Sequence, residues 1–168
     1  MKKYQPLLLL VLLLAMAGSA QSQTKIYLKL DTIKGESSDL AHKEWMEVSS
    51  FQEGVSSTSV VGIGAGSGKA IFQDLKIVKH IDRSTPQLYL MAASGRHLSS
   101  ASLDLVTNEK LSFTITLNDV AITSVTNTMQ DGNVQEEVHI SFAGITFEVR
   151  ENNVSTKSGW DLRNNKSL

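Results

Sequence analysis

The sequence predicts a mainly β fold: a closed or nearly closed antiparallel barrel with one short flanking α-helix. Three observations carry this. Segments rich in Val, Ile, Thr and Phe alternate apolar and polar residues along most of the chain. Gly, Asn and Asp separate them, and proline is almost absent, with Pro6 and Pro86 the two examples in 168 residues. Only one stretch carries helical spacing with start and stop signals.

The segments follow in order. KIYLKL (25–30) alternates cleanly, and EWMEVSSF (44–51) and the more polar QEGVSSTSVV (52–61) come next. AIFQDLKIVK (70–79) reads as one strand. Beyond the middle lie ASLDLV (101–106), LSFTITL (111–117), VAITSVTN (120–127) and VQEEVHISFAGITFEVR (134–150). Asp131-Gly132-Asn133 between the last two is a hairpin signal. Ser84-Thr85-Pro86 supplies a hydroxyl cap and a proline for the first helical turn. Leu88, Met91 and Ala92 then fall at helical spacing and Gly95 supplies the stop, which predicts a helix over 86–94. The polar end, ENNVSTKSGWDLRNNKSL, reads as irregular, with Trp160 its packing point.

The N-terminus has the pattern of a secretory signal. Lys2 and Lys3 precede an apolar run from Leu7 to Ala17, and Gly18-Ser19-Ala20 forms a small-residue cleavage site. The pattern predicts a signal over 1–20, cleavage between Ala20 and Gln21, and one domain over 21–168. The apolar run is shorter than the about 20 residues a membrane-spanning helix needs, so stable membrane insertion is not expected. An uncleaved interfacial anchor is the alternative. Loss of the signal leaves 14 basic against 17 acidic residues, a net charge of −3 with no basic stripe for nucleic acid. With no cysteine, neither disulfides nor thiolate chemistry is available, so stability rests on packing or on assembly.

VGIGAGSGKA (61–70) invites a phosphate-binding reading, which the spacing defeats. A P-loop ending at Gly68-Lys69 needs glycine where Ile63 stands and a hydroxyl where Ala70 stands. The dinucleotide pattern needs glycine at Ser67 or at Lys69. Both motifs open a helix, whereas a strand pattern follows here. No cofactor is expected.

Other chemistry is sparse. His42, His80, His97 and His139 form no H-x-H or H-E-x-x-H pair, so surface or capping roles are expected and no metal site. Ser94 in A-A-S-G-R lacks the first glycine of a nucleophile elbow. Asp74 and Asp82 are explained by strand-end solvation and turn capping more simply than by acid–base work. No catalytic residues emerge.

The sequence also resembles a known family. K-H-I-D-R-S-T-P (79–86) and S-G-R-H (94–97) are accompanied by I-Y-L-K-L (26–30), K-G-E-S (34–37), H-K-E-W-M-E-V (42–48) and F-Q-E-G-V-S (51–56). G-S-G-K (66–69), F-Q-D-L (72–75), L-N-D-V (117–120), I-T-S-V (122–125) and G-W-D-L-R (159–163) complete the set. Taken in order, these resemble the haemolysin-coregulated proteins, the inner-tube proteins of type VI secretion. The resemblance implies a barrel of two sheets with one flanking helix and no enzymatic core activity. It also implies homo-oligomeric six-membered rings that stack into a hollow tube, are expelled by a contractile sheath, and can carry effectors in the lumen. Spike and sheath proteins are the further partners implied.

In the family the stretch 52–69 corresponds to a loop or hairpin reaching toward a neighbouring subunit or ring. That makes Gly54, Gly62, Gly64, Gly66, Gly68 and Lys69 the candidate contact residues, with a partnerless surface loop as the alternative. Family members are normally made without a signal peptide. The N-terminus therefore points to a secreted or periplasmic location, or, if the signal is unused, to cytoplasmic assembly followed by type VI export. The resulting expectation is a non-enzymatic, ring-forming structural protein. A secreted monomeric binding module that keeps the barrel without assembly is the alternative.

Overall fold

Alternation of apolar and polar residues becomes strand wherever one face can be buried. In the computed structural model, which describes residues 24–58, 68–107, 111–152 and 154–168, ten strands and one helix result. The strands are β1 (Lys25–Leu30), β2 (Met46–Gln52), β3 (Val55–Ser57), β4 (Ala70–Phe72), β5 (Leu75–His80), β6 (His97–Thr107), β7 (Leu111–Gln130), β8 (Asn133–Glu151), β9 (Val154–Asp161) and β10 (Lys166–Ser167). The helix α1 (Thr85–Ser94) lies between β5 and β6.

Eight strands form one sheet in the order β10-β9-β8-β5-β2-β1-β6-β7, and an additional pairing of β7 with β8 closes it. The closed part is a six-stranded antiparallel barrel, which removes exposed edges from that part of the sheet. The long β8 makes closure and extension compatible. Its residues 135–140 pair with β5, while 144–151 pair with β9 on the way out of the barrel. β3 and β4 form a separate two-stranded ribbon.

Alternate residues point inward. Leu28 and Leu30 of β1, Leu75 and Ile77 of β5, Leu103 of β6, Ile115 and Leu117 of β7 and Val138 and Ile140 of β8 are all buried in one cluster. α1 adds Leu88 and Met91 to it and packs against β7. The helix ends at Gly95, whose φ of 60° is left-handed and whose N–H donates to Met91 O at 3.0 Å. The expected hairpin is present: Asp131 and Gly132 take φ of 51° and 79°, both positive as a type I′ turn requires.

Four local expectations are corrected. AIFQDLKIVK is two strands, because β4 joins the ribbon and β5 the barrel, with Gln73 N–H bonded back to Gly54 O at 2.9 Å between them. Segments 111–117 and 120–127 are one strand. Asp119 takes a left-handed φ of 48°, yet the pairing Asn118↔Gly144 continues as Val120↔Phe142 without a register change. The polar end is not irregular, since β9 pairs with β8 over its whole length and half-buried Trp160 does pack on the core. Ser84 caps no helix N–H with its hydroxyl, which donates to Asp82 Oδ1 instead.

Candidate functional site

The β3–β4 ribbon carries the sequence-predicted contact residues that the structure describes. Gly54 sits at its base, accepting from Gln73, and Lys69 at its other end. There Lys69 N–H donates to Thr58 Oγ1 at 3.0 Å, and Lys69 O accepts from Thr58 N–H at 3.4 Å. Gly68 is half-buried beside an exposed Lys69. Gly62, Gly64 and Gly66 lie outside the described residues, as do Ala20 and Gln21. The ribbon exposes Val55 and Ile71, and Ala70 N–H bonds Asn165 Oδ1 at 3.3 Å, which ties it to the turn between β9 and β10. Lys69 leads directly into strand β4 rather than a helix, so it has none of the N-terminal helix amides of a phosphate site.

Two polar clusters escaped the sequence reading. In the first, Lys79 at the end of β5 is wholly buried, and its Nζ lies 2.8 Å from Glu136 Oε1 and 2.7 Å from Asp82 Oδ1. The same ammonium donates to His80 O at 3.0 Å, and Thr85 Oγ1 donates to Glu136 Oε1 at 3.2 Å. The cluster fixes the turn that starts α1. Asp82 thus caps a turn, as expected, and also holds a buried cation. The signal available in sequence was a lysine at an inward-facing position of a β pattern.

In the second cluster, His42 is buried rather than at the surface or capping. Its Nδ1 lies 2.9 Å from Asp39 Oδ1 and its Nε2 3.1 Å from Asp104 Oδ2. Hydrogen bonding from His42 is the first cause holding the Asp39 carboxyl below its ordinary range. His97 and His139 pair on more open surface with Asp119 (2.8 Å) and Glu137 (2.9 Å), and His80 is exposed. Asp74 accepts from Thr123 Oγ1 at 2.7 Å, and Ser94 Oγ donates to Met91 O at 3.3 Å, closing the helix rather than facing a base. Among the described residues no group of three or more His, Asp or Glu is placed to hold a metal, and no helix is long and apolar enough to cross a membrane.

A closed barrel with one flanking helix and an outlying ribbon has counterparts. The family model described as "Type VI secretion system effector, Hcp" matches residues 27–149, most of the barrel. The chain belongs to the Hcp family. Among curated relatives, Protein hcp1 of Pseudomonas aeruginosa is 31% identical over 155 residues, covering 83% of this chain and 96% of that protein. Among solved structures, Hcp1 from Salmonella typhimurium superposes with a TM-score of 0.75 at 30% identity, covering 86% of this chain and 99% of the other. A type VI secretion effector from Yersinia pestis gives 0.68 at 25% identity, with 81% and 98% covered. Hcp membership makes this a structural, tube-like protein of type VI secretion.

Proposed function

We propose that the chain is a non-enzymatic Hcp-type ring subunit, most simply of a homohexamer, that stacks and holds effectors in the ring lumen. Residues 1–20 act as an export signal and 21–168 form the assembling domain. Family membership across the barrel carries the reading.

Two separate surfaces support it. A ring joins one patch to a different patch until the rotation closes. The β3–β4 ribbon, with exposed Val55 and Ile71, is the first. The part of β8–β9 that extends beyond the barrel, with exposed Val149 and Val154, is the second, and β9 pairs beyond β8 only at Trp160 and Asp161 with β10 among the described residues. Each lasting contact of this kind should bury roughly 1,200–2,000 Å². A net charge of −3 for residues 21–168 opposes closure little. The barrel core is complete within one chain, which is what favours the second reading, a secreted monomeric binding module.

Deleting Gly62 to Gly68 tests the role of the loop. The deletion variant should keep the far-ultraviolet β spectrum and shift toward smaller assemblies or unstacked rings. Unchanged assembly would remove the loop from the interface.

A further inference from the structure

The connection between β1 and β2, residues 31–45, is held at its start by Asp31, which accepts from Ser99 Oγ at 2.8 Å, by buried Ile33 and by Arg83, whose Nε donates to Gly35 O. Toward its end it is held by His42. The His42 ring lies flat on Tyr27, with centroids 4.3 Å apart and planes 6° from parallel, and meets Trp45 edge-on at 4.9 Å. Each ring nitrogen faces a carboxylate: Nδ1 faces Asp39 of the same loop at 2.9 Å and Nε2 faces Asp104 of β6 at 3.1 Å. Asp39 Oδ1 also accepts the backbone N–H groups of Ala41 and His42, both at 3.0 Å. Asp104 is poorer, because its Oδ1 is buried with no partner among the described residues.

A neutral imidazole carries one N–H and one bare lone pair. With a neutral ring, one of these two carboxylates would face a lone pair at hydrogen-bonding distance. Only the imidazolium donates to both. We propose that His42 is a proton-operated clasp: the imidazolium fastens the 31–45 loop to β6, and loss of the proton releases one carboxylate and loosens the loop. The clasp governs Leu40, which is 100% exposed two residues away, an apolar side chain that a held loop presents at a fixed place.

The other ionisable groups around the ring are Tyr27 on β1, Glu47 on β2 acting on that tyrosine, and Lys29 on β1, whose Nζ lies 5.9 Å from the Trp45 ring centroid. The two arms respond to pH in opposite directions. Asp39, held low, contributes above its ordinary range and is lost as pH falls through the depressed value. The imidazolium arm reaches both carboxylates only while both ring nitrogens carry a proton, so it is present on the acid side and lost when one proton leaves.

Amide hydrogen exchange on the full chain tests this at Ser37, Glu44 and Trp45, whose N–H groups bond Trp45 O, Ser37 O and His42 O at 2.9, 2.9 and 3.1 Å. After correction for intrinsic exchange, protection should fall about tenfold from pH 6 to pH 8.5, the size of one lost charge-assisted hydrogen bond. Asp104→Asn places an N–H opposite Nε2, so a neutral ring suffices and protection should hold at both pH values. His42→Phe keeps the stacking and should show low protection at both. Constant protection in the native chain, or an unaltered pH dependence in Asp104→Asn, overturns the proposal. Should His42→Phe fail to fold, ring-nitrogen NMR of the native chain decides. Two protonated nitrogens at pH 6 and one at pH 8.5 supports the clasp, and one at both overturns it.

Discussion

Lys79 Nζ lies 2.8 Å from Glu136 Oε1, and neither side chain is exposed at all. A buried pair of this kind is costly to break from one side, because the remaining charge has lost its counter-ion. Lys79→Met leaves Glu136 and Asp82 facing each other without a cation. The expected loss is about 3–5 kcal/mol by urea denaturation. Replacing both partners, as Lys79→Met with Glu136→Leu, should recover a large part of that loss, since the two effects are coupled. A single substitution costing less than about 1 kcal/mol would show that the pair does not hold the β5–α1 turn.

Gly35 stands where another residue cannot. A Cβ there would lie 2.3 Å from Trp45 O and 2.4 Å from Met46 N, both backbone atoms. Gly35 N–H bonds Glu44 O at 2.8 Å, so the two ends of the β1–β2 connection touch at this point. Gly35→Ala should destabilise by about 1–3 kcal/mol through overpacking, read as a lowered thermal midpoint. A wild-type midpoint would mean that the two backbones separate freely.

Strand content, the helix, the hairpin at Asp131-Gly132 and the barrel were legible because each depends on side-chain periodicity or on local turn residues. β9 was not. Residues 154–158 are all exposed, and their strand state comes from backbone pairing with β8, which leaves no trace in hydropathy. The break expected between 117 and 120 has a physical basis, since Asp119 takes a positive φ, but pairing on both sides carries the strand through it. Gly54 and Lys69, named from the family resemblance, lie at the two ends of the β3–β4 ribbon. His42 and Lys79 were missed because their partners, Asp104 and Glu136, are 62 and 57 residues away in the chain and meet them only when the barrel closes.

The proposed export signal makes a mass prediction. Gly18 and Ala20 stand at the positions a signal peptidase reads, so protein recovered from the periplasm or medium should begin at Gln21. Full-length protein confined to the cytoplasm would instead favour assembly there followed by type VI export.

Assembly is the central claim, and the native mass of residues 21–168 at tens of micromolar tests it most directly. Light scattering or native mass spectrometry should give a closed ring of identical subunits, most simply six, or stacks of such rings. A single-subunit mass at that concentration would contradict the ring and leave the secreted binding module in its place.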